Sequence, residues 1–143
     1  MPAEVGVEGA VEPPVLDALH DALDALWAAA PDVPPAERAR FGTAVLELAT
    51  NALRHGVPAS PGRVHLGATL RAVDGELVAD LWDDGPALDV DLDAPPPPDL
   101  APSGRGLLLV RRAMDEATLT REGDRNVWHL VRRYAPGASS SEA

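Results

Sequence analysis

Apolar residues recur every three or four positions from Leu16 to Ala52, and then every second position from Val64 to Leu81. A chain with that switch in period builds helices first and an antiparallel hairpin after them. The first helical run carries Leu16, Leu19, Leu23, Leu26 and Trp27, and the stretch from Pro31 to Pro35 breaks it. A second helix starts at Asp32 or at Pro34-Pro35 and runs to about His55, with Phe41, Val45, Leu48 and Ala52 on its apolar face. Gly56 is a natural C-terminal stop, and Pro58 and Pro61 mark a loop. From Arg63 to Ala72, Val64, Leu66, Ala68 and Leu70 alternate with His65 and Thr69. Asp74-Gly75 is a hairpin signal, and Leu77, Ala79 and Leu81 carry the return strand to Trp82-Asp83.

Residues 84–103 hold no regular pattern and include Pro95-Pro96-Pro97-Pro98, which favours polyproline II and forbids a helix or a central strand. A loop that long inside one domain is typically a lid. Gly104 to Met114 then reads as a short helix, and Ala117 to Arg121 with Asn126 to Tyr134 as a hairpin around Gly123-Asp124. Residues 1–13 read either as a frayed terminus or, through Val5 and Val7, as a short edge strand; residues 136–143 read as a disordered tail. The expectation is one domain over residues 14–135, with a lid at about 88–103. Its fold class is α+β: a two-layer sandwich whose mixed, mostly antiparallel sheet is covered on one face by helices.

Composition narrows the function. At 143 residues and 45% hydrophobic, the chain can build one core, and with 3% aromatics that core must be Leu, Val and Ala. A net charge of -11 opposes phosphate backbones and anionic membranes, so neither nucleic acid nor membrane is expected as a partner. There is no cysteine, which removes thiolate metal sites and thiol nucleophiles. There is also no lysine: all 12 basic residues are arginine. A P-loop and a eukaryotic-type protein kinase both need a lysine on the phosphates, so a nucleotide here must be held by other means. Met1-Pro2-Ala3-Glu4 lacks the basic start of a signal peptide, and a cytoplasmic protein is expected.

Three spots could carry chemistry. Glu47 and Asn51 stand four apart in the second helix, on one face, with Thr43, Thr50 and Arg54 beside them. A carboxylate and a carboxamide suit a hard cation such as Mg²⁺, or the carboxylate can prepare a nucleophile. Taken alone, the pair reads as the solvated face of an amphipathic helix. Asp83-Asp84-Gly85-Pro86-Ala87 ends a strand and alone reads as a turn. A buried aspartate there could accept a hydrogen bond from an amino group such as that of adenine. Ser103-Gly104-Arg105-Gly106-Leu107 opens a helix, where free N–H groups, the helix dipole and an arginine favour phosphate. His20, His55, His65 and His129 show no metal-ligand spacing.

In this order, the three spots resemble the N, G1 and G2 boxes of the GHKL (Bergerat-fold) ATPase superfamily. Within it, the bacterial anti-sigma-factor serine/threonine kinases are the most similar. The N-box runs from Glu47 to Gly56, the G1 box from Asp83 to Ala87 and the G2 box from Gly104 to Val110. The resemblance implies Asn51 as a Mg²⁺ ligand, Glu47 as the general base, and Asp83, not Asp84, as the reader of adenine. Gly85 and Ala87 would border the nucleotide, and Gly104, Arg105, Gly106 and Leu107 would hold the phosphates. The implied cofactors are ATP and Mg²⁺. The implied partner is an anti-sigma-factor antagonist whose Ser or Thr is phosphorylated; a sigma factor and a second copy of the chain are implied by the resemblance alone. The G1 box usually ends in glycine, and here it has Ala87. A Cβ there costs roughly 1 kcal/mol or more if the backbone needs positive φ, and little otherwise. That departure and the polyproline lid keep a second reading open, a non-catalytic nucleotide-gated binding module. A detached histidine-kinase catalytic domain is a third, disfavoured because no phosphoacceptor helix precedes the N-box.

Overall fold

Two helices are laid down before the main hairpin, as the change of period predicts. The computed structural model describes residues 3–55, 64–87 and 102–135. Strand β1 (Ala3–Ala10) leads into helices α1 (Pro13–Ala29) and α2 (Pro35–His55), then strands β2 (His65–Val73) and β3 (Glu76–Asp83). Helix α3 (Pro102–Ala113) and strands β4 (Glu116–Glu122) and β5 (Arg125–Arg133) follow. Pro13 and Pro35 open their helices where the missing N–H costs no hydrogen bond. Arg38 braces the connection between α1 and α2, donating from Nε to the Val33 carbonyl at 2.8 Å and from a terminal nitrogen to that of Pro31 at 3.0 Å.

The sheet runs in the order β1-β2-β3-β5-β4, and every neighbouring pair is antiparallel. No parallel pair occurs among the described strands, so the sheet is simpler than the mixed one expected. The first residues form a full edge strand of eight residues, not a frayed end. Asp74 and Gly75 both take positive φ (51° and 79°), the backbone of a two-residue type I′ turn. In the second hairpin Gly123 takes positive φ, 63°, at the first loop position, as a type II′ turn requires.

Alternation decides which side chains meet the helices. Leu66, Ala68 and Leu70 of β2, Leu77, Ala79 and Leu81 of β3, and Trp128 and Leu130 of β5 are buried and share the core face. Leu19, Leu23 and Leu26 of α1 and Phe41, Val45 and Leu48 of α2 close over them. The other face carries polar pairs, among them Asp80 between His129 (2.6 Å) and Arg71 (3.4 Å). There Trp82 lies flat across Gly67: a Cβ on Gly67 would sit 2.2 Å from the indole nitrogen, and the Arg125 guanidinium lies 3.8 Å from the ring centre. Glu37, in the first turn of α2, binds Arg132 of β5 at 2.9 Å and ties the helix layer to the sheet. That hydrogen bond holds the Glu37 carboxyl below its ordinary range.

Candidate nucleotide site

The helix period sets Glu47 and Asn51 one turn apart, about 6 Å along the axis of α2. They meet different surroundings. Asn51 is buried, and its Oδ1 accepts no hydrogen bond among the described residues. An unsatisfied buried acceptor costs about 1–3 kcal/mol, which a bound water, cation or other donor would recover. Glu47 is half-buried and makes no hydrogen bond or ion pair among the described residues. Thr50, beside them, is occupied: its hydroxyl donates to the Leu46 carbonyl at 2.8 Å. The side chains of Arg54 and His55 lie outside the described residues, as do Gly56 and the loop that follows it.

Parity separates the two aspartates at the end of β3. Asp83 shares its face with Leu77, Ala79 and Leu81 and points under the helices, buried. Asp84 turns the other way. Its Oδ1 accepts the His65 backbone N–H at 2.6 Å, and its own N–H donates to the His65 carbonyl at 3.2 Å, so it closes the end of the hairpin. Asp83 Oδ1 accepts from the Gly85 N–H and from Asn126 Nδ2, both at 3.0 Å. No hydrogen bond reaches Asp83 Oδ2 among the described residues. Burial raises the Asp83 carboxyl above its ordinary range, the Asp84 charge adds to this, and the Asn126 and Gly85 hydrogen bonds work against it.

Two residues that sequence reading passed over complete this corner. Asn126 stands directly opposite Asp83 in the β3–β5 register and is 2% exposed, so it is as buried as the leucines around it. Its Nδ2 also donates to the Pro86 carbonyl at 2.9 Å, and its Oδ1 accepts from Arg121 at 3.3 Å. The same Arg121 nitrogen donates to the Gly85 carbonyl at 2.8 Å. The Gly85-Pro86 turn is thus clasped to the β4–β5 hairpin. The available signal was a polar residue at a core-facing position of β5, in line with Trp128 and Leu130.

The remaining expected residues are placed as follows. Gly85 is buried, and Ala87 is exposed. Asp74 is the only non-glycine with positive φ among the described residues, so Ala87 carries no such strain. Residues 88–101 of the expected lid lie outside the described residues, and Pro102 and Ser103 belong to α3. The helix starts two residues ahead of Gly104, because Pro102 is well suited to a first-turn position. Ser103, Gly104 and Arg105 therefore sit in its first turn, where backbone N–H groups have no intrahelical acceptor. Leu107 is half-buried against the core. Among the described residues no cluster of three or more His, Asp or Glu side chains is arranged to hold a metal. The donor set instead fits a cation held chiefly by phosphate oxygens and water, with the orphaned Asn51 oxygen as its protein ligand. Among the same residues no helix is long and apolar enough to cross a membrane.

The α+β fold, with helices over one antiparallel sheet, is that of the GHKL-type ATPases. Residues 11–131 match the histidine kinase-like ATPase domain family, and the chain belongs to it. No curated protein matches the sequence. Among solved structures, 92% of the chain is similar to the RsbU and RsbW domains of Rv1364c from Mycobacterium tuberculosis, at 18% identity and a TM-score of 0.63. Over 82% of its length it is similar to the histidine kinase domain of the blue-light activated histidine kinase of Erythrobacter litoralis, at 22% identity and a TM-score of 0.54. The chain spans 32% and 60% of those two chains, and at these identities the likeness is one of fold.

Proposed function

We propose that this chain binds Mg-ATP and transfers the γ-phosphoryl group to a serine or threonine of a regulatory partner protein, in the manner of an anti-sigma-factor kinase. The partner would be an anti-sigma-factor antagonist. Binding to a sigma factor and pairing with a second copy belong to the same proposal, as does a domain spanning residues 14–135. The observation that carries the reading is the buried Asn51 oxygen, without a hydrogen-bond partner among the described residues, one turn from the Glu47 carboxylate, which has none among them either. The RsbW domain named in one similar structure agrees with it.

Asp83 Oδ2 accepts a hydrogen bond from the adenine amino group, with Oδ1 already saturated by Gly85 and Asn126. Gly85 and Ala87 border the base. Gly104, Arg105, Gly106 and Leu107 hold the phosphates at the start of α3, where N–H groups and the helix dipole favour anions. Asn51 would hold a Mg²⁺ that accompanies the nucleotide, and the ion would supply charge neutralisation on the phosphates. Glu47 accepts the proton of the attacking hydroxyl. The hydroxyl oxygen bonds to the γ-phosphorus, the bond from that phosphorus to the β,γ-bridging oxygen breaks, and ADP leaves with that electron pair.

Incubation of the protein with labelled Mg-ATP and a candidate antagonist tests this: label on the antagonist's Ser or Thr is expected. Binding without transfer would instead make the chain a nucleotide-gated module. Asp83→Asn tests the base contact. It puts an amide donor where adenine also donates and is expected to weaken ATP binding about 10- to 100-fold, while inosine triphosphate, which offers an acceptor there, loses far less. Stability should move the other way. The folded carboxyl pKa is raised, so ionised Asp83 costs the nucleotide-free fold stability at neutral pH. That cost shrinks as pH falls through the raised value and is gone below the ordinary aspartate range. Asp83→Asn should melt no lower than the parent at neutral pH, and the gap should close in acid.

A further inference from the structure

Four side chains stand in one row across the sheet, on the side that the helices cover. Leu66 of β2 is opposite Asp83 of β3, Asp83 is opposite Asn126 of β5, and Asn126 is opposite Arg121 of β4. Directly opposite residues share a face and lie within contact distance, so the register delivers a hydrophobe, a carboxylate, an amide and a guanidinium in sequence. Of the four only Arg121, on the outer strand, is exposed. Hydrogen bonds run along the row from the cation to the carboxylate. Arg121 donates to Asn126 Oδ1 at 3.3 Å, and Asn126 Nδ2 donates to Asp83 Oδ1 at 3.0 Å. The guanidinium is itself braced: Nε donates to the Gly123 carbonyl at 3.2 Å and a terminal nitrogen to that of Gly85 at 2.8 Å.

This arrangement leaves the Asn126 amide a single orientation. Its nitrogen carries two hydrogens, which go to Asp83 Oδ1 and to the Pro86 carbonyl. A flipped amide would set its oxygen against both of those acceptors and its N–H groups against the guanidinium. With the amide fixed, Asp83 Oδ1 accepts twice, from Asn126 and from the Gly85 N–H, and no hydrogen bond reaches Oδ2 among the described residues. Burial works against the ionised Asp83, the Asn126 and Gly85 hydrogen bonds work for it, the Asp84 charge works against it and the Arg121 charge for it. His65 of β2 answers Asp84, not Asp83, and no charged side chain of α2 or α3 bonds to Asp83 among the described residues. A proton taken up by this carboxyl would sit on Oδ2, which would then donate where the amino group of adenine also donates.

We propose that Asn126 and Arg121 are positioning residues that set the base specificity of the nucleotide site: they turn Asp83 Oδ2 towards the base and keep it an acceptor. Such an oxygen takes a base with an exocyclic amino group beside it and repels one with a carbonyl oxygen there, as in hypoxanthine. Both residues act through Asp83 and the Gly85-Pro86 turn. The proposal rests on the ATP-binding reading of this corner and is independent of phosphoryl transfer.

The test is calorimetric titration of ATP and of inosine triphosphate, each with Mg²⁺, into the parent, Asn126→Ala and Arg121→Met, repeated from neutral to acid pH. The parent is expected to prefer ATP. That preference should fall about 3- to 10-fold in each variant, as the loss of one ordinary hydrogen bond implies. As pH falls, ATP affinity should be lost at a higher pH in both variants than in the parent, because each lacks a group that favours the ionised carboxylate. Arg121 is exposed on an edge strand, so Arg121→Met is expected to fold and decides alone if Asn126→Ala does not. A nucleotide preference and an acid limb equal to the parent's, or equal weakening of both nucleotides, would overturn the proposal and leave the pair a structural clasp. No binding of ATP by the parent would overturn the nucleotide reading itself and the proposal with it, so the two failures are distinguishable.

Discussion

Glu47→Gln is expected to lower phosphoryl transfer about 10²- to 10⁴-fold, the contribution of a positioned general base. Affinity for Mg-ATP should stay within a few-fold of the parent. The reason for the split is geometric. Glu47 is half-buried and touches none of the groups that surround Asp83. Asn51, one turn on, faces a different environment and is buried. Glutamine keeps the length and hydrogen-bonding reach of the side chain and removes only its basicity. A single-turnover measurement separates the steps: nucleotide binding by calorimetry, transfer by label on the acceptor. Transfer at the parental rate in the variant would remove Glu47 from the chemistry. An equal loss of binding and transfer would make it a ligand for the nucleotide instead.

Phe41→Ala is expected to destabilise the domain by about 3–5 kcal/mol, the range for deleting a large buried aromatic ring. Phe41 is 0% exposed in a core that, Trp128 and Met114 apart, is otherwise built of Leu, Val and Ala. It meets Trp27 edge-on, with ring centres 6.1 Å apart and planes at 75°, and so joins α1 to α2. Much of the core is alanine, whose methyl groups cannot swing in to fill the space. Against a total stability of about 5–15 kcal/mol, the loss is a large share. Denaturant unfolding measures it directly; a change below about 1 kcal/mol would show that the core collapses around the cavity or that Phe41 is not packed as described. Since α2 also carries Glu47 and Asn51, nucleotide affinity should fall with stability in this variant, and in Glu47→Gln it should not.

Much of this molecule was legible before the fold was seen, and the reason is local. The i, i+3, i+4 pattern from Leu16 to Trp27 and the face from Phe41 to Ala52 needed only the helix period. Asp74-Gly75 named its own turn, because few residue pairs accept two consecutive positive φ values. The choice of Asp83 over Asp84 came from the resemblance alone; the alternation of β3 then puts the Asp83 side chain on the buried face. The residues that escaped notice are those whose partners are far away in sequence. Asn126 meets Asp83 across 43 positions, and Arg121 meets the Gly85 carbonyl across 36. Neither belongs to a short motif. Only the β5 register, which no local pattern specifies, brings them together. The first strand stayed open for a similar reason: β1 is ordered by pairing with β2 some sixty residues later, from Ala3 opposite Ala72 to Ala10 opposite His65. Helix α3 begins two residues ahead of the expected Gly104, because Pro102 suits a first-turn position whose N–H has no acceptor.

Ala87 shows how one dihedral changes a functional reading. In sequence it stood where the family has glycine, and it weighed against nucleotide binding. With no positive φ at that position, the methyl group asks nothing unusual of the backbone. The turn is shaped instead by Asp83, Asn126 and Arg121, which hold Gly85 and Pro86 from three sides.

The most direct test of the central claim is a calorimetric titration of ATP into the protein with and without Mg²⁺, repeated on Asn51→Ala. Tighter binding of ATP with Mg²⁺ than without is expected in the parent, with that difference lost in Asn51→Ala. Absence of ATP binding at millimolar nucleotide, or a Mg²⁺ effect of equal size in both proteins, would contradict the assignment of this corner of the fold as an Mg-ATP site.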